Sequence, residues 1–246
     1  MSLHTLNNSV GIIGGVSSNA TLNFIKKLVN MSNECKKDEN GLPFVLCSDP
    51  ILNKSLQVND QTQIVKILRQ KRVFLEKSGA RCIVMPCHIS HSWYDHVSKG
   101  SSVPILHMGE CVAKQLKEAK LKPLEAGSPL RIGVLATNET LKAGFYQEKL
   151  QKEGFEVVVP DKATMEHTII PSMEAIRRKD IEGARNLLRI ALQVLLVRAV
   201  NMIILASDDL REILPHDDLL LKKCVDPLDS LARSTIKIAQ SATEGS

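Results

Sequence analysis

Short apolar runs that stop at glycine, proline or a polar turn recur along the chain, and most lead into a stretch whose apolar positions repeat every three or four residues. The first is Val10-Gly-Ile-Ile-Gly14, followed by the polar turn Gly15-Val-Ser-Ser-Asn-Ala-Thr21 and a helical pattern through Leu22, Ile25, Leu28 and Val29. Pro43–Ser48 reads as a second strand, Gln61–Ser78 as an amphipathic helix, Cys82–Met85 as a third strand and Val103–His107 as a fourth. A helix over Cys111–Ala119 follows. The Pro- and Gly-containing piece Lys122–Pro129 reads as a linker. The pattern then restarts with a strand at Leu130–Leu135, a polar turn at Ala136–Thr140 and a helix over Leu141–Glu153. Phe155–Val159 is the next strand, Ile181–Val200 a long helical zone and Met202–Leu205 a further strand. A last helix runs from Val225-Asp-Pro-Leu-Asp229 to about Ala239.

Uninterrupted apolar strands alternating with helices imply an α/β fold with mostly parallel sheets buried on both faces. The repetition predicts two pseudo-symmetric three-layer α/β/α lobes. The first covers residues 1–120 with the C-terminal helix 227–240, and the second covers residues 128–220. Right-handed crossovers bring the C-terminal ends of the strands to one edge of each sheet. Four turns thereby become candidates for one cleft between the halves: Gly14–Thr21, Cys87–His91, Ala136–Thr140 and Ser207–Asp209.

With 43% hydrophobic but only 3% aromatic residues, the core must be aliphatic and there is little with which to stack bases. The net charge of +5 comes from Lys and Arg scattered among Asp and Glu. That argues against a nucleic-acid stripe and suits a small anionic substrate. The six cysteines, at 35, 47, 82, 87, 111 and 224, show neither CxxC pairs nor the density of a disulfide scaffold, so they are expected to be reduced thiols. Met1–Val10 lacks a signal-peptide run and no stretch of 18 apolar residues occurs. A soluble intracellular protein is expected, in the cytoplasm or, if a targeting peptide preceded Met1, an organelle lumen.

Candidate chemistry concentrates in Cys82-Ile-Val-Met-Pro-Cys87-His-Ile-Ser-His91. Cys82 lies inside the strand and is assigned to packing, whereas Cys87, just past Pro86, reaches the edge. The other cysteines have no comparable setting. The second half offers Met202-Ile-Ile-Leu-Ala-Ser207-Asp-Asp209, the same strand-then-turn shape with a hydroxyl and two carboxylates. His88 and His91, three apart, share one helical face. They are either active-site groups, with His91 orienting the turn or lowering the pKa of Cys87, or ordinary helix-start histidines. A zinc site from Cys87, His88 and His91 lacks a fourth ligand at metal-ligand spacing. Ser17, Asn19, Thr21, Thr137, Asn138 and Thr140 either hold a substrate carboxylate at helix N-termini or only cap those helices. There is no G-x-G-x-x-G fingerprint and no P-loop lysine, which argues against nucleotide binding.

In their order and spacing these motifs resemble the aspartate/glutamate racemase superfamily, enzymes that invert a carbon next to a carboxylate with two cysteines and no cofactor. The resemblance runs from Gly11 to about Ala239. It rests on Gly11-Ile-Ile-Gly-Gly-Val-Ser-Ser-Asn-Ala-Thr21, Val84-Met-Pro-Cys-His-Ile-Ser-His91, Gly133-Val-Leu-Ala-Thr-Asn-Glu-Thr140 and Val225-Asp-Pro-Leu-Asp-Ser-Leu-Ala232. It implies that Cys87 is the first thiol and that Ser207, followed by Asp208 and Asp209, replaces the second in a motif that commonly reads Gly-Cys-Thr-Glu. His88 and Ile89 stand where Asn-Thr is usual, and Lys54 stands for a carboxylate-binding arginine. A lysine of some aspartate-specific members falls on Glu166, with Lys162 nearby. No cofactor, no metal, a small carboxylate or amino-acid substrate, no nucleic-acid or membrane partner and a homodimer are the accompanying expectations.

Inversion needs one group to take the α-proton and another, on the opposite face, to return one. A thiol with a reference pKa of about 8.5 serves either role once its surroundings lower that value. A serine hydroxyl is too weakly acidic to be a resting base without an activating neighbour. The expected activity is therefore amino-acid racemase-like isomerisation, with Cys87 and Ser207 as catalytic candidates. The alternatives are a one-thiol decarboxylase or cis–trans isomerase of a small carboxylate, and a racemase homologue that binds ligand without turnover.

Overall fold

The computed structural model describes residues 9–35, 41–58, 60–124 and 126–241. The chain divides into two compact units, Met1–Cys111 with Leu228–Ser246, and Val112–Pro227.

The first unit is built on a parallel sheet. β1 (Ser9–Ile13) is buried along its whole length and leads into α1 (Ser18–Cys35). β2 (Phe44–Cys47) is followed by α2 (Ile51–Gln57) and α3 (Gln61–Lys77), and β3 (Ala80–Val84) by a 3-10 turn at His88–Trp93, α4 (Tyr94–Ser98) and the start of α5 (Met108–Glu118). The strand order is β2-β1-β3, with Ile13 opposite Cys47 and Ile12 opposite Val84. The chain therefore leaves all three strands at one edge.

Gly11 lets β1 lie close to its neighbours, since a Cβ there would approach the Ala80 Cβ at 3.0 Å and the Leu75 Cβ at 3.2 Å. Gly15 is needed for two reasons. Its φ of 107° lies in the region that L side chains rarely adopt, and a Cβ would run into the Asp49 backbone. α3 is capped by Asp60, which accepts from the Gln63 N–H at 3.0 Å. It buries Ile64, Ile67, Leu68 and Leu75 in the aliphatic core, where truncating a leucine costs about 2–5 kcal/mol.

The fourth strand expected at Val103–His107 is only an isolated parallel bridge between Ile83 and Ile105. Pro104 explains this: its carbonyl accepts from Ile83 N–H at 2.9 Å, but it has no N–H with which to extend a ladder.

In the second unit, β4 (Arg131–Ala136) is followed by α6 (Asn138–Ala143) and α7 (Phe145–Lys152). The single helix expected over Leu141–Glu153 is broken between them by Gly144, which has a left-handed φ of 72°. Next come β5 (Glu156–Val158), α8 (Lys162–Thr164), a π-helical turn at Met165–Ile169, α9 (Ile170–Arg177) and α10 (Ile181–Val197), whose Asp180 cap accepts from Gly183 N–H at 2.9 Å. β6 (Met202–Ala206), α11 (Leu210–Ile213), a 3-10 turn at Leu219–Lys223 and β7 (Cys224–Val225) complete the unit. The sheet order is β5-β4-β6-β7, all parallel. It repeats the first unit's arrangement with one strand added.

Asn201 fixes the start of this sheet. Its N–H donates to Arg131 O at 2.7 Å, its Oδ1 accepts from Arg131 N–H at 2.8 Å and its Nδ2 donates to Lys122 O at 2.9 Å. The linker is thereby tied to the first residues of β4 and β6. α12 (Pro227–Gln240) belongs from Leu228 onward to the first unit, where Asp229 pairs with Lys27 of α1 at 2.7 Å. Among the described residues, no helix is long and apolar enough to cross a membrane.

Candidate functional site

In the first unit, the β3 strand ends in Met85-Pro86, and Cys87 follows with extended backbone (φ −76°, ψ 129°) at the head of the His88–Trp93 turn. The proline after an apolar strand stops the ladder and re-aims the chain. Cys87 is 7% exposed. Its carbonyl accepts from Ser90 N–H at 3.2 Å.

His91 is buried, and its Nε2 lies 3.0 Å from the Met85 carbonyl. A carbonyl only accepts, so Nε2 carries the proton and donates. Burial, reinforced by His107 and His88, pushes the His91 pKa well below its ordinary 6.5 and outweighs the opposing hydrogen bond to Met85. Burial thus favours the neutral form of His91, and its hydrogen bond ties the turn back to Met85. Its ring centroid is 4.8 Å from that of His107, which in turn lies 4.6 Å from Tyr94, edge to face. Tyr94 Oη donates to Ile105 O at 2.8 Å, and Gly109 N–H donates to His107 Nδ1 at 3.0 Å. Tyr94 and His107 were not singled out from sequence. The one signal for His107 was its position at the end of the Val103–His107 run.

Cys82 is fully buried, and burial raises its pKa to about 11 against the opposing charge of Arg81. Ser17 caps α1: its Oγ accepts from Ala20 N–H at 3.1 Å, while Thr21 Oγ1 donates to Ser17 O at 2.8 Å. Thr21 is buried, Asn19 exposed, and both lie within the first turn of α1. Lys54 is exposed on α2, after β2, and Ile89 and His88 follow Cys87 directly, half-buried and buried respectively. Cys87, Ser17, Asn19, Thr21 and Lys54 thus all follow the C-terminal ends of this sheet's strands.

In the second unit, Ala136 pairs with Ala206, so Thr137 and Ser207 leave adjacent strands at the same end. Thr137 caps α6, its Oγ1 accepting from Thr140 N–H and donating to Thr140 Oγ1, both at 3.3 Å. Thr140 is buried and Asn138 exposed. Ser207 is buried, and Asp208 and Asp209 are half-buried, Asp209 at the start of α11. Glu166 forms an exposed i,i+4 pair with Lys162 at 3.7 Å. Among the described residues, no group of three His, Cys, Asp or Glu side chains is placed to hold a metal ion.

The two α/β units carry a thiol past the end of β3 and a hydroxyl past the end of the equivalent strand β6. The Asp/Glu/hydantoin racemase family model matches residues 13–235. The chain belongs to that family. It is 25% identical over 230 residues to the broad specificity amino-acid racemase RacX of Bacillus subtilis, covering 92% of this chain and 96% of that protein. An aspartate racemase homologue from Pyrococcus horikoshii has a similar structure, with a TM-score of 0.79 at 23% identity over 94% of this chain and 99% of that one. The aspartate racemase of Picrophilus torridus gives 0.72 at 24% identity, covering 94% of each. At these identities the structural likeness speaks for the fold.

Proposed function

We propose that this chain is a cofactor-independent amino-acid racemase, working at the carbon next to a carboxylate with Cys87 as its thiol acid/base. The observation that carries the reading is the placement of Cys87 in extended backbone just beyond Pro86, at the end of β3 and the head of a turn. A thiolate there removes the α-proton, and the charge passes into the adjacent carboxylate as an enediolate. The N-terminus of α1, with Ser17, supplies N–H groups and a hydroxyl of the kind that stabilise such an anion. Lys54 contributes positive charge without the bidentate geometry of arginine. The breadth of the Bacillus relative favours a range of amino acids over aspartate or glutamate alone.

The test is incubation with individual D- and L-amino acids in deuterated water, followed by chiral separation and mass analysis. Inversion accompanied by α-deuteration is expected, and Cys87→Ser should abolish both while leaving the melting temperature nearly unchanged, because the exchange is close to isosteric but removes a group that ionises near neutral pH. Inversion persisting in Cys87→Ser would exclude the thiol mechanism.

Ser207 motivates a second reading, in which only one face of the substrate carries a working base and the enzyme protonates from that face alone. Deuterium uptake without inversion would select it.

A further inference from the structure

Away from the β3 turn, the end of β2 carries a second sulfur in a setting of its own. Cys47, the last residue of the edge strand, lines an open recess of about 370 Å³ with Asp49, Gln63, Gln70 and Lys71. Lys71 projects from the buried face of α3 and is only 6% exposed. Among the described residues the structure gives its Nζ one hydrogen-bond partner, Cys47 Sγ, at 3.7 Å. A buried ammonium ordinarily finds a carboxylate or carbonyls, and here it is directed at a thiol instead.

The other described thiols differ. Cys82, Cys87 and Cys111 are buried, and Cys224, though partly exposed, donates to Leu220 O at 3.3 Å and has its pKa raised to about 12 by burial. Cys47 is the partly exposed thiol that combines an open approach with an amine in contact.

We propose that Cys47 and Lys71 form a redox-modification site, in which a hydroperoxide oxidises the thiol and the lysine amine captures the product as a reversible sulfur–nitrogen cross-link. In the first step the Cys47 sulfur attacks one peroxide oxygen, the O–O bond breaks, and the thiol proton goes to the departing oxygen, so that sulfenic acid forms together with an alcohol, or water where the oxidant is hydrogen peroxide. The sulfur is oxidised by two electrons and the peroxide is reduced. In the second step Lys71, once its ammonium has given one proton to solvent, attacks the sulfenyl sulfur through the nitrogen lone pair, the S–O bond breaks, and hydroxide leaves as water with a second proton from the nitrogen. A sulfenamide remains, the product that sulfenic acids give with nearby nitrogen nucleophiles. A dithiol reductant returns thiol and amine.

The link would join the edge strand to α3 one residue pair from the β1 turn, since Gly14 N–H donates to the Cys47 carbonyl at 3.0 Å.

The experiment is treatment of the intact protein with hydrogen peroxide, followed by intact-mass measurement and non-reducing peptide mapping. A loss of two hydrogens is expected, located in a link between the Cys47 and Lys71 peptides and reversed by dithiothreitol. Cys47→Ser should show no such link. Lys71→Arg keeps the charge but removes the primary amine, and should instead leave a Cys47 sulfenic acid that dimedone labels several-fold more than in the unaltered protein. Mapping of the unaltered protein decides the question even if a variant folds poorly. A disulfide from Cys47 to another cysteine, equal dimedone labelling with and without Lys71, or no oxidation at Cys47 would each overturn the proposal.

Discussion

His91 donates from Nε2 to the carbonyl of Met85 across 3.0 Å, closing a loop that begins with Pro86 and Cys87. The bond fixes the tautomer of the imidazole, and the buried ring is held neutral.

Stability should therefore depend on pH through His91. Its folded pKa lies below its ordinary 6.5, mainly through burial, so below 6.5 the unfolded chain binds a proton that the folded chain refuses. Stability contributed by the neutral ring is complete above 6.5 and is lost as pH falls from there toward the folded value, by at most about 1.4 kcal/mol per pH unit for one group. Urea denaturation between pH 7 and 5 should show this slope. His91→Gln should flatten it, and an unchanged slope in that variant would place its source elsewhere.

Gly15 and Gly144, two of the positive-φ glycines, should behave differently when substituted. Gly15→Ala meets both an unfavourable φ and the Asp49 backbone, whereas Gly144→Ala meets an unfavourable φ of 72° with nothing within 4 Å. Gly144→Ala should cost about 1–2 kcal/mol, and Gly15→Ala more than that. Equal costs by denaturant titration would mean that the turn after β1 relaxes easily.

Ser17→Ala removes the α1 cap and should lower stability by about 1 kcal/mol. If the same hydroxyl holds a substrate carboxylate, KM should rise several-fold as well, because the helix end loses one of the groups facing the anion. A stability loss with KM unchanged would reduce Ser17 to a cap.

Ser207→Cys should raise the rate of racemisation if a missing second thiol limits inversion. Asp208 and Asp209 follow directly, and two carboxylates nearby favour a neutral thiol over a thiolate. The gain is therefore expected mainly in the direction in which this residue gives up a proton. Rates measured from both enantiomers test this, and no gain in either direction would mean that another group already supplies the second proton.

The strands were legible because parallel sheets demand continuous apolar runs, and β1, β3, β4 and β6 carry them with glycine, proline or a polar turn at the end. Val103–His107 has the same composition yet makes only a bridge, because one proline in five residues removes the donor a ladder needs. The helix after β4 reads as continuous in its periodicity, but Gly144 breaks it through a backbone angle, which a hydrophobic pattern does not encode. The π-helical turn at Met165–Ile169 went unread, and so did the ring contact of Tyr94 with His107. Both depend on packing between residues whose own neighbourhoods look ordinary. The Cys87 turn could be picked out because proline and thiol are adjacent in sequence; the Lys71 contact with Cys47 spans 24 positions and leaves no local trace.

Asn201 anchors β4, β6 and the linker at one end of a strand, and Ser207 leaves from the other. Register is thus set six positions ahead of Ser207. Substitutions in the turn after β6 can exchange a thiol for a hydroxyl, or a threonine for an aspartate, while the alignment of the sheet stays where Asn201 holds it. Such a division lets reactivity diverge among relatives while the scaffold beneath it keeps its stability.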